Sequence, residues 1–379
     1  MKVEIITPNA DPDRGGFGSR VHGIVSMFSQ FADVRVVVTD PLNGNRVPGV
    51  EYVEVPLSNS LRTRIGRMRR YYRRDFPERK SSPPPDLVVV ESLDLIGLHQ
   101  YGPRVPMVLD EHNVYWNLLD YEMDNAPFFQ GWLGRRSAIR RVMKPRLLER
   151  AKRYEIEAIR RAARTLVTSD ADRRAVVAEC PDAEGRVRVL PNCADLRRIP
   201  ALPDPGDSRT VAFVGDFNYI PNREAAEFVF QTLAPGLPNV RLLLVGPNQP
   251  SWPRVRNVVA MGYVPDLVAV LRDAAICIAP LAHGSGTRIK ILTYLAAARA
   301  VVATTKACEG LPVRDGQHLL IRDGPIEFRN AIHNLLEDPV SRQRLGTSGR
   351  ALVESAFDWP AHVPALRDLA TEICAGSTG

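Results

Sequence analysis

Short β-branched apolar runs alternate along this chain with longer stretches in which apolar positions return every three or four residues. In the first half the runs are Val3 to Thr7, Val34 to Thr39, Tyr52 to Val55, Leu87 to Val90, Pro106 to Leu109, Thr165 to Thr168 and Val187 to Leu190. In the second half they are Thr210 to Val214, Val240 to Val245, Val258 to Met261, Ile276 to Ala279, Ala300 to Ala303 and His318 to Ile321. Runs of this kind read as strands and the stretches between them as amphipathic helices, a pattern that predicts parallel sheets covered by helices. A polar segment, Leu196 to Arg209 with Pro200, Pro203 and Pro205, interrupts the alternation as a linker would. The expected fold class is therefore α/β, with two doubly wound, Rossmann-like domains. The first spans 1–198, a linker 199–209, and the second domain begins at residue 210.

With 379 residues the chain exceeds what one core organises, which agrees with two domains. Hydrophobic residues at 45% and charged residues at 25% exclude a disordered or fibrous protein. No apolar run approaches the roughly 20 residues of a membrane span. Met1 to Ile6 passes directly into a strand pattern without a signal-type apolar region, so a cytoplasmic location is expected. The five cysteines, Cys180, Cys193, Cys277, Cys308 and Cys374, are widely spaced and include no C-x-x-C pair, so neither a disulfide framework nor a structural zinc site is expected.

The formal charge of +7 is unevenly placed. Arg62 to Lys80 carries nine cations and two acids, and Arg135 to Arg164 twelve cations and three acids. Such segments read either as solvated arginine-rich faces or as contacts to anions. In the first, Met68, Tyr71, Tyr72 and Phe76 interleave with Arg67, Arg69, Arg70, Arg73 and Arg74, a composition suited to an anionic membrane surface or a phosphorylated acceptor. Peripheral attachment at the inner face of the membrane would follow from the first of these. No helix-turn-helix, zinc-finger or RNA-binding signature surrounds these arginines, so nucleic acid is not an expected partner.

Gly284-Ser285-Gly286-Thr287-Arg288-Ile289-Lys290 follows the Ile276 to Leu281 strand run and opens a helix expected from about Ile289 to Ala298. Backbone N–H groups at a helix start, two flexible glycines and two cations form a cradle for a diphosphate, although a strand-to-helix turn with solvated cations has the same appearance. Doubly wound sheets bind ligands at the carboxyl ends of their strands. Three further polar segments obey that rule: Asp11 to Gly18, Asp110-Glu111-His112-Asn113, and Gly215-Asp216-Phe217-Asn218.

Taken together, these segments resemble the family 4 retaining glycosyltransferases of the GT-B fold, over nearly the whole chain. Gly15-Gly16 matches the family's glycine pair in the first loop, and Asp110 to Asn113 is similar to the segment that holds its active-site histidine. Thr168-Ser169-Asp170 and Leu190-Pro191-Asn192 match shorter motifs before the interdomain linker. Gly284 through Leu292, Ala300 to Thr304 and Glu309-Gly310-Leu311 resemble the donor-binding half of a subgroup. Phe357-Asp358-Trp359 resembles the point where the last helix crosses back to the first domain. The resemblance implies a second domain of 210–356, a returning helix in 357–379, and a cleft between two facing domains.

It further implies a transferase that moves a sugar from a nucleotide-diphosphate donor to a glycan or lipid-linked acceptor. His112, Arg288 and Lys290 would carry the chemistry. Gly15, Gly16, Asp216, Asn218, Gly284, Ser285, Gly286, Thr287, Thr293, Glu309 and Gly310 would bind the donor. Two departures stand out: Thr293 occupies the place of a family glutamate that brackets the ribose hydroxyls, and the loop from Gly215 to Asn222 lacks the family's arginine and lysine. The subgroup resemblance assigns that charge to Arg288 and Lys290. No cofactor is implied. Asp110 and Glu111 are adjacent, and neighbouring strand side chains point to opposite faces, so no metal site is expected. A nucleotide-sugar epimerase would need more acidic groups in these loops. A catalytically weak relative acting as a partner subunit or glycan-binding module fits Thr293.

Overall fold

A computed structural model describes residues 1–13, 15–41, 44–57, 83–125, 138–284 and 286–376. The basic segment with Arg67, Arg69, Arg70, Arg73 and Arg74 lies outside the described residues, as does Ser285. The chain divides into two compact units, one holding the residues up to Pro191 together with Trp359 onward, the other Asn192–Asp358.

The first unit is built on seven parallel strands, β1 (Lys2–Thr7), β2 (Asp33–Val38), β3 (Glu51–Glu54), β4 (Leu87–Val90), β5 (Met107–Glu111), β6 (Arg164–Val167) and β7 (Val187–Val189), in the order β3-β2-β1-β4-β5-β6-β7. The α-helices between them, among the described residues, are α1 (Gly15–Phe28), α2 (Tyr115–Asn125), α3 (Ala138–Arg161) and α4 (Asp170–Glu179). All four residues of β4, Leu-Val-Val-Val, are buried, as a central strand with both faces covered requires. Ser169 caps α4 by accepting from the Asp172 amide at 3.1 Å, and Asp172 in turn accepts from the Ser169 and Thr168 hydroxyls, each at 2.7 Å. That reciprocal cap is the local meaning of the Thr168-Ser169-Asp170 run.

The second unit repeats the plan with six parallel strands, β8 (Thr210–Val214), β9 (Arg241–Val245), β10 (Val258–Gly262), β11 (Ile276–Ala279), β12 (Ala300–Ala303) and β13 (Leu320–Ile321), ordered β10-β9-β8-β11-β12-β13. Its helices include α5 (Ile220–Phe228), α6 (Leu267–Asp273), α7 (Ile289–Ala296), α8 (Pro325–Glu337) and α9 (Pro339–Ala356). Phe213, Leu243, Ile276, Ile278, Val301 and Leu295 meet in one core between sheet and helices. In each unit the strand order reverses once, between β1 and β4 in the first and between β8 and β11 in the second. Sheets of this kind bind ligands at such a reversal, at the carboxyl ends of the strands, and the segments singled out above lie at or after the ends of β1, β5, β8 and β11.

The proline-bearing segment expected as a linker is fastened to the second unit. The buried Arg299 guanidinium donates to the carbonyls of Leu202 and, at 2.6 Å, Pro203, while the buried Arg342 holds Asp204 with two hydrogen bonds of 2.9 and 3.0 Å and donates to Gly206 at 2.7 Å. The chain returns to the first unit at Trp359, followed by α10 (Val363–Gly376). Trp359 packs on α1 at Gly23, where an added Cβ would stand 2.1 Å from the indole. Arg164 pairs with Glu372 of α10.

That contact yields a direct test. Gly23→Ala forces the indole away from α1 and is expected to destabilise the protein by about 1–3 kcal/mol, the range typical of overpacking. A urea midpoint equal to the parent's would show that α10 docks without this close approach.

Candidate functional site

In the first unit, five side chains from three elements converge near the strand reversal. Arg20 of α1 is fully buried and grips Asp110 of β5 with both ends of its fork, Nε to Oδ2 at 2.7 Å and Nη2 to Oδ1 at 2.6 Å; its Nη1 donates to the Leu190 carbonyl at 3.0 Å. His112, just beyond β5, turns Nε2 inward, 3.0 Å from Oε2 of Glu91 and 3.1 Å from Oδ2 of Asp110. Phe17, in the first turn of α1, stacks on the imidazole at a centroid distance of 4.3 Å. Glu91 follows β4 directly and is buried, and its Oε1 has no hydrogen-bond partner.

Electrostatics separates the two carboxylates. Burial alone would raise both. Asp110 is nevertheless held well below the usual carboxylate range, because the Arg20 charge, then His112, outweigh desolvation. Glu91 has no guanidinium of its own, and burial together with the neighbouring Asp110 charge pushes it up from 4.5 to about 7. For His112, burial acts to lower the pKa, but the charge and hydrogen bond of Asp110 and the hydrogen bond to Glu91 prevail and raise it.

Glu91, Asp110 and His112 each present a ligand-type atom, and these lie within 4.8 Å of one another. Adjacency of Asp110 and Glu111 was thus the wrong pair to weigh, because the second carboxylate comes from β4. Arg20 already occupies both oxygens of Asp110, so the positive charge that such a trio requires is supplied by a guanidinium.

Loop positions follow from α3. Glu155 is buried and accepts from the Tyr115 and Trp116 amides at 2.8 and 3.0 Å, capping α2 immediately after His112, while the Tyr154 hydroxyl donates to the Leu93 carbonyl at 3.1 Å in the turn after Glu91. Gly15 and Gly16 open α1 exposed to solvent, with Gly15 at φ 76°. Gly18 admits the Asp11 carbonyl to where a Cβ would lie only 1.9 Å away, which seats α1 tightly on the first loop.

In the second unit the glycine-rich turn leads into α7. Gly284 and Gly286 have φ values of 116° and 70°, a region other residues rarely enter. Gly284 lies under the Tyr219 hydroxyl, which would be 2.5 Å from an added Cβ. Arg288 is buried at the helix N-cap position and donates to the Gly286 carbonyl. Thr287 is held from the other side by Asn192, whose Nδ2 donates to its hydroxyl at 2.7 Å.

Lys290 reaches across the strand reversal. Its Nζ donates to Asn222 Oδ1 at 2.6 Å and lies 4.2 Å from the centre of the Phe213 ring, and Asn222 Nδ2 donates to the Asp216 carbonyl at 2.7 Å. Asp216 accepts from the Asn218 amide at 2.8 Å and from Asn248 Nδ2 at 2.9 Å, so Asp216 and Asn218 shape the loop after β8. A side chain at Gly215 would stand 3.0 Å from the ammonium. Four residues later on the same helix, the Tyr294 hydroxyl accepts from the Val214 amide at 2.8 Å and fixes α7 against β8. The loop after β8 therefore lacks a cation of its own and receives one from α7. Burial, with the Arg288 charge, lowers the Lys290 pKa well below its ordinary value.

Thr293 is half-buried on α7, which ends at Ala296 rather than near Ala298 because Ala298 takes a left-handed φ of 54°. Glu309 forms a 2.6 Å ion pair with Lys306 in the loop after β12, and Gly310 follows at φ 79°. Sequence reasoning missed Arg20, Glu91 and Asn222, and it had Asn192 only as part of a motif.

Residues 208–338 match the family model described as Glycosyl transferases group 1. No curated protein sequence matches the chain. Among solved structures, sucrose-phosphate synthase from Thermosynechococcus elongatus superposes with a TM-score of 0.72 at 17% identity, covering 99% of this chain and 100% of that one. Anabaena HepE in complex with UDP-glucose gives 0.67 at 13% identity over 98% and 100%, and WaaG, a glycosyltransferase involved in lipopolysaccharide biosynthesis, 0.65 at 15% over 98% and 99%. These likenesses show the GT-B fold over nearly the whole chain, and the family match lies within its second unit.

Two measurements check these sites. Arg20→Leu leaves Asp110 buried without its partner and is expected to cost about 3–5 kcal/mol in chemical unfolding; a loss below 1 kcal/mol would show that the pair does not hold α1 to the sheet. An anion bound at Lys290 raises its pKa, so the complex holds more protons than the free protein above the lowered value. Affinity for a diphosphate should then be greatest at low pH and decline as the pH rises through the free-state pKa. Titration calorimetry in two buffers of different ionisation enthalpy should show proton uptake that Lys290→Gln abolishes, and equal uptake in both proteins would exclude Lys290 as its source.

Proposed function

We propose that this protein is a retaining, metal-independent glycosyltransferase that moves a sugar from a nucleoside-diphosphate donor to a glycan or lipid-linked acceptor. The observation that carries the reading is the Lys290 ammonium, delivered by α7 into the loop after β8, beside a glycine turn and a helix N-terminus. Departure of a nucleoside diphosphate builds negative charge on its terminal phosphate, and fixed donors at that point lower the barrier. Arg288, Lys290 and the amides of Gly286 and Thr287 supply such donors without a divalent ion. His112 would stabilise the positive character that grows on the sugar, held in place by Asp110 and Glu91.

The UDP-glucose complex of the Anabaena HepE structure supports a nucleotide-sugar donor for a chain of this fold. The acceptor classes rest on the family resemblance and on the basic segment, and no helix among the described residues is long and apolar enough to cross a membrane. Thr293 favours one other reading, a partner subunit with little activity of its own, because a hydroxyl cannot bracket a ribose diol as a carboxylate does.

A thermal-shift panel of nucleoside diphosphates, followed by radiolabelled transfer or donor hydrolysis, separates the two readings. A melting shift with turnover is the expected result. Arg288→Ala and Lys290→Ala should each weaken nucleotide binding about ten- to a hundredfold, since a charge-assisted bond contributes roughly 1.5–3 kcal/mol. His112→Ala should reduce turnover far more than affinity. Binding without turnover on any donor would favour the partner-subunit reading, and absence of binding to every nucleotide would overturn both the cradle and the transferase.

A further inference from the structure

The first unit holds more acid–base chemistry than the cradle reading requires. Two carboxylates and an imidazole are packed together in the interior, yet only one of the carboxylates has a guanidinium. Asp110 accepts two hydrogen bonds from Arg20 and stays ionised. The remaining carboxylate, Glu91, has a single basic partner among the described residues, the Nε2 atom of His112 at 3.0 Å; the Asp110 carboxylate stands beside it, and its second oxygen is buried with no partner. A buried ionised carboxylate with one partner is costly, and a proton on it removes most of that cost.

We propose that Glu91 is the positioning residue of His112: the two share a proton across the Nε2–Oε2 contact, above an Arg20–Asp110 pair whose charges cancel, and this shared proton keeps the imidazole turned inward against Phe17. The proposal rests on His112 acting in the transferase site and adds the group that sets its charge. No bond other than N–H and O–H is involved. When the proton lies on His112 the pair is imidazolium and carboxylate, and when it lies on Glu91 the pair is imidazole and carboxylic acid. The sum of charges is the same. Uptake of a second proton gives imidazolium beside carboxylic acid and makes the cluster positive by one.

The groups facing Glu91 are few. Asp110 and His112 reach it from β5, with Arg20 of α1 behind Asp110. On the β1 side the Glu91 amide bonds the Ile6 carbonyl at 3.0 Å, and the next residue, Thr7, spends its hydroxyl on the Asn9 carbonyl. In the turn that follows, Ser92 donates to Asp94. Neither Thr7 nor Ser92 brings a charge that could replace the proton. Both His112 and Glu91 are raised from their ordinary values, Glu91 to about 7, and two groups in such contact titrate as a coupled pair. A histidine coupled in this way changes charge with its partner, and activity that depends on it should follow the pH profile of the pair.

The test needs neither donor nor acceptor, so its outcome stands apart from that of the transferase reading. Infrared difference spectra of the parent protein should show a carboxylic-acid C=O band below neutral pH that is lost as the pH rises through about 7. Glu91→Gln should remove that band. In protein labelled with 15N-histidine, with the His112 signals identified by their absence in His112→Gln, Glu91→Gln should move the His112 titration to lower pH, because a carboxylate that favours imidazolium is gone. Nucleoside-diphosphate binding in the second unit should be equal in parent and Glu91→Gln. No band in the parent above pH 5 overturns the proposal, even if the variant fails to fold. So does a His112 titration that is the same with Glu91 and with Gln.

Discussion

The buried fork between Arg20 and Asp110 is the interaction on which the first unit depends. An ionised carboxylate inside a sheet is tolerable only with a well-placed partner, and the partner must come from an element that cannot drift. Arg20 meets both conditions from the middle of α1, and its contact to the Leu190 carbonyl extends the hold to the chain leaving β7. Because α1 is fixed in this way, its glycine-bearing start and Phe17 are fixed as well. Because Asp110 is satisfied, the proton of the neighbourhood is left to Glu91 and His112. One ion pair thus determines both the placement of the helix and the charge of the histidine.

The second unit solves a similar problem with opposite charge. Its strand order reverses as in the first, but the side chain sent into the reversal is a lysine, steadied by the Asn222 amide and the Phe213 ring instead of a carboxylate. A carboxylate there would neutralise the ammonium and weaken its pull on an incoming phosphate. An amide oxygen orients the ammonium without cancelling it. The two reversals therefore differ in what they hold: the first pairs Asp110 with Arg20, while the second holds a lysine with no acid within hydrogen-bonding reach among the described residues.

Much of the fold could be read from alternation alone. Every strand run named from the sequence is a strand in the structure, since parallel strands are apolar along their whole length and leave a clear signal. The glycine turn and its cations were legible for a similar reason, being contiguous. The positions that escaped are those whose meaning arises only when separate strands meet. Glu91 is a single acid after an apolar run, and nothing in its neighbours in sequence says that β4 will lie beside β5. Arg20 and Asn222 sit on helices, where one polar residue among many carries no mark. The fastening of the proline-bearing segment escaped for the same reason, since Arg299 and Arg342, which hold it, lie far along the chain.

Those two arginines decide where the chain can be cut. A fragment of the second unit begun at Thr210, where the strand pattern resumes, would lack Leu202, Pro203, Asp204 and Gly206, and would strand two guanidiniums in an apolar interior. The compact unit itself begins at Asn192, which also braces Thr287 in the glycine turn. What reads in the sequence as a tether is thus a packed part of the second unit.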